Sequence, residues 1–136
     1  MLVVSDVQFT QQNKEFTLQD LIDKTLKWAD ARNLLEGSTP AKQIQKTAEE
    51  LMELAVAIGK DEMLATIRQH VHPSMAENLG EAVSEELADA VGDVLVTLII
   101  VAKQCGLDID DCLQQAYDEI KDRRGCMVNG KFVKEV

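Results

Sequence analysis

The sequence predicts an all-α protein, a bundle of four to five helices that ends in a short hairpin or tail. Three observations carry this. Apolar residues recur at helical spacing through four long stretches between residues 17 and 124. Glycine and proline punctuate those stretches, notably at Gly37, Pro40, Gly59, Pro73, Gly106 and Gly125. The clearest extended signal is the Asn129-Gly130 pair, set between two short runs near the C-terminus.

Residues 1–16 carry no helical period, and Leu2-Val3-Val4 reads as a short strand or a disordered lead-in. Thr17 is suited to cap a helix, with Asp20 three residues on. Leu18, Leu21, Ile22, Thr25, Leu26 and Ala29 then repeat at helical spacing to about Leu35, where Gly37 and Ser38 break the run. Thr39-Pro40 reads as an N-cap followed by proline at the first helical position. The second helix is expected from Pro40 to about Ile58, with Ile44, Ala48, Leu51, Leu54, Ala55 and Ile58 on its apolar side and Gly59 at its end. Residues 60–83 are the least regular: a short helix from Asp61 to His70, a stop at Val71-His72-Pro73, and a loop or turn from Ser74 to Gly80. Ser84 is expected to cap a third long helix that runs to Cys105 and stops at Gly106. Asp108 starts a fourth, from about Ile109 to Arg124. Met127 to Val133 then forms a type I′ hairpin. The chain contains no repeats of fixed period and no low-complexity stretches. One domain over residues 1–136 follows, with a helical core at 17–124 and a tail at 125–136.

The 136 residues are 46% hydrophobic but only 4% aromatic, so the core is aliphatic. Net charge is −10, from 24 acids against 14 bases, which excludes a general binder of nucleic-acid polymers, since that needs a basic face. Cys105, Cys112 and Cys126 are odd in number and lack CxxC spacing, as expected of reduced thiols in a cytoplasmic protein. Met1 to Asn13 has neither a basic start nor a long apolar run, so no signal peptide is expected. Val94 to Ala102 is too short for a membrane span and is bounded by Asp93 and Lys103.

Acids carry the functional signal. Glu49, Glu50 and Glu53 lie on the second helix, and Glu86, Asp89 and Asp93 on the third. Residues three or four apart share a helix face, so Glu50 pairs with Glu53, while Glu86, Asp89 and Asp93 form a second row. Each acid neighbours residues that look buried, among them Leu51, Leu54, Ala55, Leu87, Ala90, Val94 and Leu95. Like charges beside a core repel one another and lose solvation, so a compensating group is expected. An all-oxygen cluster suits a hard divalent cation, Mg²⁺ or Mn²⁺. The plainer reading of any one acid is a solvated helix face.

The run Glu49-Glu50-x-x-Glu53, then an acidic helix, then Gly92-Asp93-Val94-Leu95, then a basic end to the next helix resembles the MazG-like superfamily of all-α nucleoside triphosphate pyrophosphohydrolases. That family's signature is EExxE on one helix and ExxD on the next. The resemblance spans roughly residues 17–124 and is closest to the small single-domain form often found in phages, with Trp28-Ala29-x-Ala31-Arg32-Asn33 upstream. Two registers stay open: Glu86-x-x-Asp89 satisfies ExxD literally, whereas Asp93 stands where the motif aspartate usually falls, with Ala90 at the glutamate position.

The resemblance implies Mg²⁺-dependent cleavage of a nucleoside triphosphate between the α and β phosphates, giving the monophosphate and pyrophosphate. Glu50, Glu53, Asp89 and Asp93 would hold the metal, with Glu86 a further candidate, and Glu49 or Glu50 would orient the attacking water. Lys46, Lys121 and Arg124 would meet phosphate oxygens, and Trp28, Arg32 and Asn33 the nucleoside. The bland alternatives are an i,i+4 ion pair for Lys46, a helix C-terminal charge–dipole contact for Lys121 and Arg124, and core packing for Trp28. No Glu-x-x-His occurs, which argues against a ferritin-like di-iron site and a metal-storage role; His70 and His72 read as loop residues. Family members act on varied substrates, so dUTP or dUDP, dCTP or a phosphoribosyl nucleotide are alternatives, and a non-catalytic acidic adaptor is the reading of another class. Val94, Val96, Leu98, Ile99, Ile100 and Val101 ring the third helix, so a homodimer or a homotetramer is expected.

Overall fold

The computed structural model describes residues 16–67, 69–70 and 73–136, so the expectation for Leu2-Val3-Val4 lies outside the described residues. Four helices and one hairpin follow in order: α1 (Leu18–Ala31), α2 (Pro40–Ile67), α3 (Pro73–Gln104), α4 (Ile109–Ile120), β1 (Gly125–Val128) and β2 (Lys131–Lys134). The described residues are all-α apart from this terminal hairpin. Helix α3 is the hub: α2 packs along it, and α1 and α4 also contact it.

Local sequence signals set the starts and stops. The Thr17 side chain accepts from the Asp20 N–H at 3.1 Å, and the Asp20 carboxylate accepts from the Thr17 N–H at 3.1 Å. This reciprocal box holds the Asp20 carboxyl below its usual range, chiefly through the Thr17 backbone donor. Thr39 accepts from the Lys42 N–H at 3.2 Å, one turn into the helix that Pro40 opens. Helix α1 ends on Asn33, whose φ of 58° lets the Leu34 N–H reach back to the Ala29 carbonyl at 2.9 Å. Gly106, at φ 74°, closes α3 in the same manner, with the Leu107 N–H on the Ala102 carbonyl. Gln104 donates to the Leu34 carbonyl at 3.1 Å and so ties the α1–α2 turn to the end of α3. In the hairpin, Met127 pairs with Phe132 and Val128 with Lys131. Asn129 and Gly130 both have positive φ, 50° and 77°, as a type I′ turn requires.

Four boundaries differ from expectation. Helix α1 stops at Ala31 rather than about Leu35, because the positive φ of Asn33 closes it early. Helix α2 passes through Gly59 and continues to Ile67. A mid-helix glycine costs about 1 kcal/mol, which packing against α3 offsets. Helix α3 begins at Pro73 rather than Ser84, so the capping signal at Ser84 and the loop expected over Ser74–Gly80 fall inside a helix. Helix α4 stops at Ile120 rather than Arg124, because the hairpin recruits Arg124, whose carbonyl accepts from the Glu135 N–H at 2.8 Å.

Among the described residues the buried apolar core is aliphatic: Ile22 and Ala29 from α1, Ala57 from α2, and Ala90, Ile99, Ile100 and Ala102 from α3. Helix α2 is turned opposite to its hydrophobic pattern. Its buried positions are Gln43, Thr47, Glu50 and Ala57, while Ile44, Ala48, Leu51, Ala55 and Ile58 are exposed. Leu95 is also exposed, and Leu54, Leu87 and Val94 are half-buried. Among the described residues no single helix is long and apolar enough to cross a membrane.

Two of the glycines in these turns and helices behave oppositely. A Cβ at Gly59 meets nothing within 4 Å, whereas one at Gly37 runs into the Asn33 side chain and carbonyl. Gly59→Ala is expected to stabilise the protein by about 0.5–1 kcal/mol in urea unfolding. Gly37→Ala is expected to destabilise it by about 1–3 kcal/mol through the forced shift of Asn33.

Candidate metal centre

Helices α2 and α3 run antiparallel, since residue 60 faces 86 at one level and residues 50 and 53 face 93 at another. The i,i+3 spacing of Glu50 and Glu53 places both on the side of α2 that meets α3. One carboxylate oxygen each from Glu50, Glu53 and Asp93 lies within 4.8 Å of the other two. Glu50 is buried, Asp93 half-buried and Glu53 exposed, so the trio forms a graded wall from interior to solvent.

Charge crowding is visible at these groups. Asp93 is raised above its usual range, first by burial and then by the charges of Asp89 and Glu50. Glu53 is raised too, mainly by the neighbouring Glu50 charge, with Lys46 opposing. Lys46 lies 3.0 Å from Glu50 and 3.2 Å from Glu49, and these contacts hold its ammonium above the ordinary lysine value. A cavity of about 380 Å³ opens beside the trio, lined by Met52, Glu53, Val56, Glu86, Asp89, Ala90 and Asp93. Converging oxygens, repulsion among them and an adjoining cavity together fit a hard divalent cation.

The other candidates divide by location. Asp89 and Glu86 line the same cavity, but the nearest partner of Glu86 is Lys60, at 2.8 Å. Glu49 stays exposed beside Lys46. Trp28, at the end of α1, is 45% exposed rather than packed in the core, with the Arg32 guanidinium 4.5 Å over its ring. Asn33 serves the α1–α2 turn. Lys121 pairs with Asp118 at 3.4 Å, and Arg124 lines a separate polar cavity with Asp118, Asp122 and Lys134. None of these last five residues lines the acidic cavity. Sequence reasoning missed Met52 and Val56, its apolar wall, which lie within the expected helix but whose face only the α2–α3 packing decides, and Lys60, which a longer α2 would have brought into view.

A helical hairpin that gathers carboxylates from two antiparallel helices on one point defines a class of all-α proteins suited to holding a hard divalent cation. Residues 38–126, which hold all six acids, match the MazG nucleotide pyrophosphohydrolase domain, and the chain belongs to that family. It is also similar to an uncharacterized 18.2 kDa protein in the rep-hol intergenic region of Haemophilus phage HP1, being 33% identical over 91 residues. The match covers 67% of this chain and 43% of that protein, so the chain spans less than half the length of this relative. No solved structure gives a significant match.

The raised acids fix the sign of a pH effect. A carboxyl whose folded value is raised favours folding at low pH, and that contribution is lost as pH rises through the raised value. Ionised Glu53 and Asp93 therefore destabilise the metal-free protein at neutral pH, where a cation relieves them. Mg²⁺ or Mn²⁺ at about 100 times its Kd is expected to add about 2.7 kcal/mol, read as a higher Tm. The increment should shrink in mildly acidic buffer. Glu53→Gln should raise the metal-free Tm and remove most of the increment.

Proposed function

We propose that this protein is a Mg²⁺-dependent nucleoside triphosphate pyrophosphohydrolase, with Mn²⁺ as a substitute, that cleaves ribo- or deoxynucleoside triphosphates to the monophosphate and pyrophosphate. The observation that carries this is the meeting of Glu50, Glu53 and Asp93 inside a MazG domain. The trio would hold the cation, with Asp89 completing the acidic wall. When bound, Mg²⁺ supplies charge neutralisation for the phosphate oxygens and acidifies an adjacent water. Glu49 would orient that water and take its proton as the water oxygen bonds to phosphorus and the bridging oxygen of the α–β anhydride leaves with pyrophosphate. Lys46 keeps Glu50 and Glu49 in place and offers a positive charge at the same edge. Nucleotide-pool control in the cytoplasm is the setting we assign, consistent with the three free cysteines.

Trp28, Arg32 and Asn33 are assigned to the nucleoside, and Lys121 and Arg124 to phosphate. Within one protomer they stand apart from the acidic cavity, so a homo-oligomer is proposed in which a second copy brings them to it. The exposed stripe Ile44, Ala48, Leu51, Ala55, Ile58 supports this. Its +4, +3, +4, +3 spacing is that of a coiled-coil seam, and its order of side chains is the same read from either end. Two antiparallel copies of α2 would place Leu51 on the two-fold axis, with Ile44 against Ile58.

Two experiments test the proposal. Pyrophosphate release is measured over a panel of ribo- and deoxynucleoside triphosphates with Mg²⁺ and with EDTA. Release is expected only with metal, and Glu53→Gln should lower kcat/KM by about 100-fold or more, the scale of a lost transition-state charge contact. No release from any nucleotide by the folded protein would favour a partner-binding role for the acidic face. Light scattering after size exclusion should give a dimer or tetramer for the wild type and a smaller, still helical species for Leu51→Asp. A monomeric wild type would remove the oligomer from the proposal.

A further inference from the structure

Lys60 joins the two helices of the site. Its Nζ lies 2.8 Å from Glu86 Oε1, a bridge from α2 to α3 across 26 positions of chain. The other ion pairs among the described residues join positions no more than five apart. Folding does not account for this bridge. The side chains are 50% and 46% exposed, and an ion pair so open to water contributes little to stability and exchanges readily.

Its location is more informative. Glu86 lines the acidic cavity with Glu53, Asp89 and Asp93, so the Lys60 ammonium stands at the rim of that cavity. On α2, Lys60 follows Glu53 by two turns, about 10 Å along the axis, and shares its face. Lys46 precedes Glu53 by the same interval. Two lysines thus bracket the carboxylates along one line of the helix, but they are not equivalent. Lys46 contacts Glu50, a member of the converging trio, and moving it would leave a buried carboxylate without its cation. Lys60 holds a carboxylate outside the trio and can leave it without such a cost. Arg123 and Arg124, just past α4, line a different cavity, and Lys121 pairs with Asp118.

We infer that Lys60 binds the polyphosphate of the substrate and is held by Glu86 until the substrate arrives. The inference rests on the nucleotide reading above. A polyphosphate anchored near the trio and running toward the C-terminal end of α2 passes beneath Lys60. Its oxygens carry more charge than one carboxylate and take the ammonium in a stronger charge-assisted bond. Glu86 is then a resting partner that the polyphosphate displaces from the lysine.

The test is calorimetric titration of inorganic pyrophosphate in Mg²⁺ buffer, alongside steady-state kinetics, for wild type, Lys60→Met, Lys60→Arg and Glu86→Gln. Lys60→Met is expected to weaken pyrophosphate binding about 10-fold or more, the usual scale for a lost hydrogen bond to a charged group, and to raise KM in parallel. Its kcat should change far less. Lys60→Arg should recover most of the affinity. Glu86→Gln should bind pyrophosphate at least as tightly as wild type, because the lysine no longer has to be displaced. Wild-type affinity and KM in Lys60→Met would overturn the inference. Equal impairment of Lys60→Met and Glu86→Gln would overturn it in favour of a structural bridge. If the wild type neither binds pyrophosphate nor releases it from any nucleotide, the nucleotide reading itself fails and this inference falls with it.

Discussion

Burial of Glu50 against α3 is the constraint on which the rest of the molecule turns. A carboxylate loses solvation when a second helix covers it, and the loss is tolerated only with compensating charge. Lys46 supplies part of it from one turn away. The same packing that buries Glu50 carries Glu53 and Asp93 toward it, which deepens the shortage of positive charge rather than relieving it. A fold that only needed stability would place apolar side chains there. Keeping three acids within 4.8 Å makes the α2–α3 interface a place where a cation is worth more than it is in solution.

That choice has a second consequence on the far side of α2. With Gln43, Thr47 and Glu50 turned inward, the helix carries Ile44, Ala48, Leu51, Ala55 and Ile58 outward. Ile44, Leu51 and Ile58 are each about half exposed, at 48%, 56% and 45%. Large apolar residues scattered singly on a surface need no explanation, but five positions in register along one helix do. The seam lies away from the acidic face, so covering it would leave the cavity open to substrate. Acid inside and apolar outside are one orientation of one helix seen from two sides.

The sequence was most legible where the physics is local. Thr17 with Asp20, Thr39 with Pro40, and Asn129 with Gly130 each act within a few residues, and each stands in the structure as its chemistry requires. Gly59 and Ser84 carry equally local signals of a stop and a start, yet both lie inside helices, because the long α2–α3 contact outweighs a glycine and a spare cap. The acids were legible as a set, since spacing assigns them to faces. Which of them converge was not, because that depends on the rotation and depth of two helices relative to each other. The same reason explains Lys60: with α2 ended at Ile58, nothing linked it to the site. Trp28, Arg32, Asn33, Lys121 and Arg124 were singled out through the family resemblance, and that they do not line the acidic cavity is a property of tertiary arrangement.

Helix geometry also bears on the two registers of the second motif half. Asp93 is the α3 carboxylate that reaches Glu50 and Glu53. One turn toward the N-terminus of α3 the same face offers two positions, Ala90 and Asp89. Ala90 is 7% exposed and forms part of the cavity lining, so a methyl group sits where a fourth converging carboxylate would otherwise stand. Asp89 lines the cavity from the i−4 position and acts on Asp93 through its charge. Glu86 lies a further turn away, about 10 Å from Asp93 along the axis, which puts it level with Lys60 instead of with the trio. The three acids of α3 therefore divide by depth along the helix: Asp93 with Glu50 and Glu53, Asp89 along the wall, and Glu86 at the rim with the lysine.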